Sequence, residues 1–158
     1  MQITIRRAVE TDAAAACDVL RRSIRELCVE DHRNDEGILR RWLANKTEDN
    51  LRMWIVSDKT FSVVAVWKEK ICGFGLVHET GEVQLCYVAP EARFLGASDL
   101  ILRELEQQGR RWGLSKLFLT TTTVAKNFYE RRAWIVSGGP VPVFGMQNIL
   151  PMTKLLTD

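Results

Sequence analysis

The residue types best suited to chemistry lie together in the stretch Tyr87-Val88-Ala89-Pro90-Glu91-Ala92-Arg93-Phe94-Leu95-Gly96-Ala97-Ser98. An apolar, strand-like run ends at Pro90, and a helical pattern begins after Gly96. The first N–H groups of a helix have no intrahelical partner and sit at the positive end of its dipole, so such a junction can receive phosphate oxygens. Gly96, Ala97 and Ser98 put little side chain in the way. A plain helix cap with nothing bound fits the same residues. The phosphate motifs G-x-x-x-x-G-K-[ST] and G-x-G-x-x-G are both absent.

Nucleophilic and metal chemistry find less support. Cys17, Cys28, Cys72 and Cys86 lie in apolar or helical stretches, with no C-x-x-C pair and no close Cys/His cluster to hold zinc. They read as reduced, buried thiols, and no metal is expected. Cys86 adjoins Tyr87, where a thiol would invite an acyl-enzyme. No histidine or cation stands near it in sequence to lower its pKa, so it reads as packing. Arg110, Arg111 and Lys126 are basic enough to meet phosphates, and equally suit a solvated basic face.

These residues need elements to position them. Ile3 and Ile5 alternate with polar neighbours as in a half-buried strand. Thr11 or Asp12 caps a helix whose apolar face is Ala16, Cys17, Leu20, Ile24 and Leu27. A second helix is expected from Asn34, burying Ile38, Trp42 and Leu43, and a third opens at Thr47 to Asn50. The apolar runs Thr60 to Trp67, Ile71 to His78 and Val83 to Val88, broken by Lys68-Glu69-Lys70 and Thr80-Gly81, predict an antiparallel meander. After Pro90 comes a helix stopped at Gly113, then a buried strand at Leu117 to Thr120. Thr122 or Thr123 caps a further helix through Tyr129, and strands at Trp134 to Val136 and Pro151 to Leu156 close the chain. The order predicts one α+β domain over residues 1–158.

Composition agrees with a chain that folds alone, since 46% of its residues are apolar and 27% charged. Lys and Arg number 22 against 20 Asp and Glu, a net charge of +2 too small to imply a nucleic acid or an anionic membrane as partner. No apolar run approaches membrane-spanning length, and no signal-like apolar region follows Arg6 and Arg7, so the cytoplasm is the expected compartment.

Arg93-x-x-Gly96-x-Ser98 resembles the [Q/R]-x-x-G-x-[G/A] signature of the GNAT superfamily of acetyltransferases. Ala125-Lys126-Asn127-Phe128-Tyr129-Glu130-Arg131-Arg132-Ala133-Trp134 resembles its A-x-x-F-Y-x-x-x-G-F segment, in the family's order and spacing. Ser98 and Ala133 stand where Gly or Ala and Gly are usual, and Thr122 where Asn often precedes. If position 133 requires a positive φ, alanine is strained there. The resemblance covers essentially the whole chain. It implies a single mixed, mostly antiparallel sheet flanked by helices, with splayed central strands.

The resemblance also implies acetyl-CoA as cosubstrate, held by Tyr87, Val88, Arg93, Phe94, Leu95, Gly96, Ala97, Ser98 and Lys126. Direct attack by a primary amine of a small molecule or peptide on the thioester is the implied reaction. Val88 N–H stabilises the carbonyl oxygen, and Tyr129 protonates the departing thiolate. Glu82 is the candidate base, since its offset from Arg93 resembles that of the base in the histone-acetylating branch. Asp31 and His32, between the first two helices, are candidates to bind the acceptor or relay its proton. As plain residues, Tyr129 suits a packed aromatic, Glu82 a solvated turn, and Asp31 and His32 solvated loop groups. A homodimer through the C-terminal strands is a further implication. Binding of acetyl-CoA without turnover, or an interaction domain anchored by tryptophans, are the alternative readings.

Overall fold

In the computed structural model, which describes residues 2–157, the alternating start of the chain forms β1, Thr4–Arg7. It pairs with a meander of β2 (Thr60–Trp67), β3 (Lys70–His78) and β4 (Val83–Val88), giving an antiparallel sheet in the order β1-β2-β3-β4. Between β1 and β2 come α1 (Ala13–Leu27), α2 (Val29–His32), α3 (Glu36–Leu43) and α4 (Glu48–Val56). Asp35 caps α3 by accepting the Ile38 N–H at 3.0 Å, so this helix starts later than the Asn34 expected from sequence. Arg33 and Asn34 have φ of 52° and 56° and turn the chain between α2 and α3. The short α2 has no counterpart in the sequence reading.

After β4 follow α5 (Ala97–Arg111), β5 (Lys116–Thr121), α6 (Thr123–Glu130), β6 (Ile135–Val136), β7 (Val141–Val143) and β8 (Met146–Leu155). Strand β8 pairs antiparallel with β5, β6 and β7, and β7 is a strand that the Pro142-containing sequence did not announce. The single sheet is thus built as two antiparallel halves. They are joined by a parallel bridge between Glu82 and Phe118, where the Phe118 N–H donates to the Gly81 carbonyl at 3.0 Å. Beyond that bridge β4 and β5 separate.

Period-two alternation assigns the two faces of the first sheet. Val64, Phe74 and Leu76 pack with Ala16 and Leu20 of α1, whereas Val63 and Ala65 pack with Ile101, Leu102 and Leu105 of α5. Each buried Val, Leu, Ile or Phe among them contributes about 1.5–3 kcal/mol over leaving it in water. Gly73 and Gly75 let α5 approach β3 closely: a Cβ on Gly73 would sit 2.8 Å from Ile101 Cδ1, and one on Gly75 would overlap the same side chain. This contact seats α5 beside the end of β4. On the second half, the buried Glu106 of α5 accepts from Lys154 Nζ at 2.7 Å and from Trp134 Nε1 at 3.2 Å, tying helix to β8.

Candidate active site

The separation of β4 from β5 opens a cleft of about 680 Å³ lined by residues of both strands, of α1 and of the first turns of α5 and α6. A bulge in β4 shapes its wall. Leu76 of β3 faces Leu85 and Val77 faces Val83, leaving Gln84 as an extra residue that bends the strand. Past the bulge, Ala89 N–H donates to Cys72 O directly opposite at 2.7 Å. Alternation along an antiparallel strand then turns the N–H of Val88 away from β3, toward the side from which β5 has withdrawn.

At the mouth, Gly96 caps α5 with φ 86°, a left-handed conformation that favours glycine. A Cβ built there would have nothing within 4 Å, so the free N–H groups at the start of α5 face open space. Arg93 lays its guanidinium 4.7 Å from the Phe94 ring centre, and Phe94 is 89% exposed. Arg131 and Arg132 line the same mouth. Arg132 is held by Asp99 at 2.7 Å and lies 3.8 Å from the Phe128 ring centre. Main-chain dipole and side-chain charge together make the mouth electropositive.

Deeper in, Tyr129 of α6 is buried between Phe128 and Trp134, with ring centres 5.1 and 5.7 Å away. Burial, with Cys86 close by, raises its phenol well above the usual value, so the hydroxyl keeps its proton. Burial likewise pushes the Cys86 thiol up to about 12, which removes the thiolate that an acyl-enzyme needs. Asp31 of α2 also lines the cleft. Burial raises its pKa, against the lowering influence of the neighbouring Val124 N–H and Thr122 side chain, and Oδ2 is buried with no hydrogen-bond partner.

The structure therefore brings Tyr87, Val88, Arg93, Phe94, Gly96, Ala97, Ser98, Tyr129 and Asp31 to one cleft, but not every residue singled out in the sequence. Leu95 and Lys126 do not line it, and Lys126 turns to Glu130 at 3.9 Å. Glu82 sits at the closed end by the Phe118 bridge, outside the lining, and accepts from Gln84 Nε2 at 3.1 Å. His32 is not a solvated loop group. It is fully buried, with Nε2 2.9 Å from Ile24 O and Nδ1 accepting the Asn34 N–H at 2.9 Å, so both ring nitrogens are spent on main chain. Among the described residues no group of three His, Cys, Asp or Glu side chains is placed to hold a metal ion.

Residues 28–156 match the family described as the acetyltransferase (GNAT) domain. The chain belongs to the GNAT acetyltransferase family. A GNAT fold is also what solved structures share with it. A GCN5-related N-acetyltransferase from Rhodopseudomonas palustris superposes with a TM-score of 0.85 at 19% identity, over 99% of this chain and 97% of that one. The PaiA N-acetyltransferase from Thermoplasma acidophilum, solved with coenzyme A, gives 0.82 at 18% identity over 98% and 99%. YncA from Salmonella typhimurium, solved with its cofactor acetyl-CoA, gives 0.75 at 17% identity over 100% and 96%. An amino-acid acetyltransferase of Pseudomonas putida is 43% identical over 53 residues, which is 34% of this chain and only 12% of that protein. Among the described residues this GNAT domain has no helix long and apolar enough to cross a membrane.

Proposed function

We propose that this GNAT domain transfers the acetyl group of acetyl-CoA to a primary amine of a small molecule or peptide by direct attack. The observation that carries the reading is the meeting, in one cleft, of an open left-handed glycine at the start of α5, an N–H of β4 turned away from its sheet, and a buried tyrosine that keeps its proton. Acetyl-CoA fits that set: the free N–H groups after Gly96, with Arg93, receive the pyrophosphate, and the gap between β4 and β5 takes the thioester arm. The Val88 N–H donates to the carbonyl oxygen as charge develops there. The amine nitrogen bonds to the carbonyl carbon, the C–S bond breaks, and Tyr129 gives its proton to the sulfur.

The amine must lose a proton, and Asp31 is better placed than Glu82 to take it. Asp31 lines the cleft, its Oδ2 has no hydrogen-bond partner, and burial raises its pKa above that of an ordinary carboxylate, which makes it a stronger base. The tyrosinate left after transfer regains its proton from solvent or from Asp31, so the products are an amide and a free thiol.

Release of the coenzyme A thiol, followed with a chromogenic disulfide across a panel of amines, tests the activity. Tyr129→Phe is expected to lower the maximal rate by about a hundredfold, with cofactor affinity unchanged. No rise in melting temperature with about millimolar acetyl-CoA overturns the reading, because a ligand bound only by the native state must stabilise it. The compartment is proposed to be the cytoplasm. A homodimer is part of the same proposal, supported by the exposed Ile135, Val136 and Leu155 on the second half-sheet, and light scattering decides it.

A further inference from the structure

A second compartment, of about 420 Å³, adjoins the first across β4 and shares with it Trp42, Gln84, Leu85, Tyr87 and the β5 end Thr120 to Thr122. Its own walls are apolar and aromatic, from Trp54, Val143, Phe144, Met146 and Ile149. One charged side chain lines it, Lys46.

Lys46 is only 5% exposed, although it follows α3 in a connecting segment. Its Nζ donates to Asn45 Oδ1 at 2.8 Å and lies 5.3 Å from the Phe144 ring centre. Among the described residues it has no carboxylate within ion-pair distance, and neither Asp nor Glu lines the compartment. Its main chain is pinned, the carbonyl accepting from Arg21 at 2.9 Å and from the Cys17 thiol at 3.2 Å, so the buried position is fixed by the fold. An ammonium has three donors, and one is used. Buried charges are ordinarily paired, because an unpaired one loses its hydration with nothing in return.

We infer that Lys46 is the anchor for a carboxylate on the acceptor, and that the acceptor is a primary amine bearing a carboxylate and an apolar or aromatic body, the α-amino acid class. This rests on the acyl-transfer reading of the adjoining cleft. With its carboxylate at Lys46, such a molecule places its body among Trp54, Phe144 and Met146. Its amine reaches the wall shared by the two compartments at Thr122, on the side where Asp31 lines the adjoining cleft. A zwitterion thus meets a cation at one end and a carboxylate at the other. A diamine or polyamine finds no acidic side chain in the compartment to hold its second charge.

Calorimetry on the enzyme saturated with coenzyme A tests this without requiring turnover. The probes are L-phenylalanine and L-leucine, their carboxamides, and putrescine, titrated into the wild type and Lys46→Met. The acids are expected to bind the wild type at least about tenfold more tightly than the amides, the scale of a charged hydrogen bond. That preference is expected to vanish in Lys46→Met, whose folding is checked by its melting shift with coenzyme A. Equal binding of acid and amide, a preference that survives in the variant, tighter binding of putrescine, or no binding of either amino acid overturns the inference. Acid preference lost with Lys46 but no thiol release leaves the carboxylate subsite standing and removes the transferase reading instead.

Discussion

Replacing Lys46 by methionine is expected to make the protein more stable. Burial alone lowers the lysine from 10.5 to about 8, so keeping the ammonium charged in place costs roughly 3 kcal/mol at about 1.4 kcal/mol per unit. Methionine keeps the length of the apolar stem and removes the charge. It forfeits the hydrogen bond to Asn45, about 1 kcal/mol, and the approach to Phe144, about 0.5–1 kcal/mol. The balance is a gain of about 1–2 kcal/mol, which for a domain of this size raises the melting temperature by about 2–8 °C. The sign with pH follows from the shift. Because the folded pKa lies below the unfolded one, the native state binds fewer protons between about pH 8 and 10.5, and wild-type stability recovers across that window. The advantage of Lys46→Met is therefore full at pH 7 and shrinks toward pH 10. The other titratable group lining the compartment, Tyr87, is raised above its ordinary value by burial and stays neutral through this range. Paired melts of both proteins at pH 7 and pH 9.5 are the assay. A variant less stable at pH 7, or a difference that does not change with pH, refutes the picture of an unpaired buried ammonium. A residue that costs stability and is nonetheless fixed in a pocket is the kind that function retains.

Three other perturbations have defined outcomes. Ala133 holds a φ of 68° after α6, where alanine costs about 1–2 kcal/mol and glycine loses about 0.5–1 kcal/mol of chain entropy, so Ala133→Gly should gain about 0.5–1 kcal/mol by urea unfolding. Gly96→Val should weaken coenzyme A binding by at least about tenfold in calorimetry, because the branched side chain fills the space that the N–H groups of α5 face. Unchanged affinity there would move the phosphate elsewhere. Lys154→Met leaves the Glu106 carboxylate buried without its cation and should cost roughly 3 kcal/mol in the same urea experiment.

The meander, with β2 and β4 at the bounds their apolar runs suggest, and the start of α5 after Gly96 were legible because both depend on local patterns. Turn residues separate the strands, and a glycine is favoured where φ is positive at a helix start. What the chain order hid is tertiary. Nothing in the sequence around Lys46 says that Trp42, Trp54 and Phe144, up to 102 residues apart, close around it. His32 looks like a loop residue until α2 folds it against the end of α1. Glu82 was placed by its offset along the strand, but an offset counted in residues does not say whether the position falls at the open or the closed end of a splay. Asp31 was singled out by location alone; that one of its oxygens is buried without a partner appears only in the folded chain.

The extra residue at Gln84 gives β4 something like a reading frame. Before it, even-numbered positions face β3, as the Glu82 carbonyl accepting the His78 N–H shows; after it, odd-numbered ones do, as Ala89 shows with Cys72. Because the bulge absorbs one residue, the ladder to β3 keeps its phase from His78 to Cys72, and the outer edge of β4 presents Gly81 to β5 in its first half and the Val88 N–H to the gap in its second. Were Gln84 instead drawn into regular alternation, Val88 would join the ladder to β3 and Ala89 would face the cleft in its place. Deleting Gln84 would therefore straighten the strand yet keep its phase, with Glu82 still bonded to His78 and Ala89 to Cys72, whereas a deletion between Leu85 and Val88 that left the bulge in place would be a frameshift in space, exchanging every inward group beyond it for its neighbour.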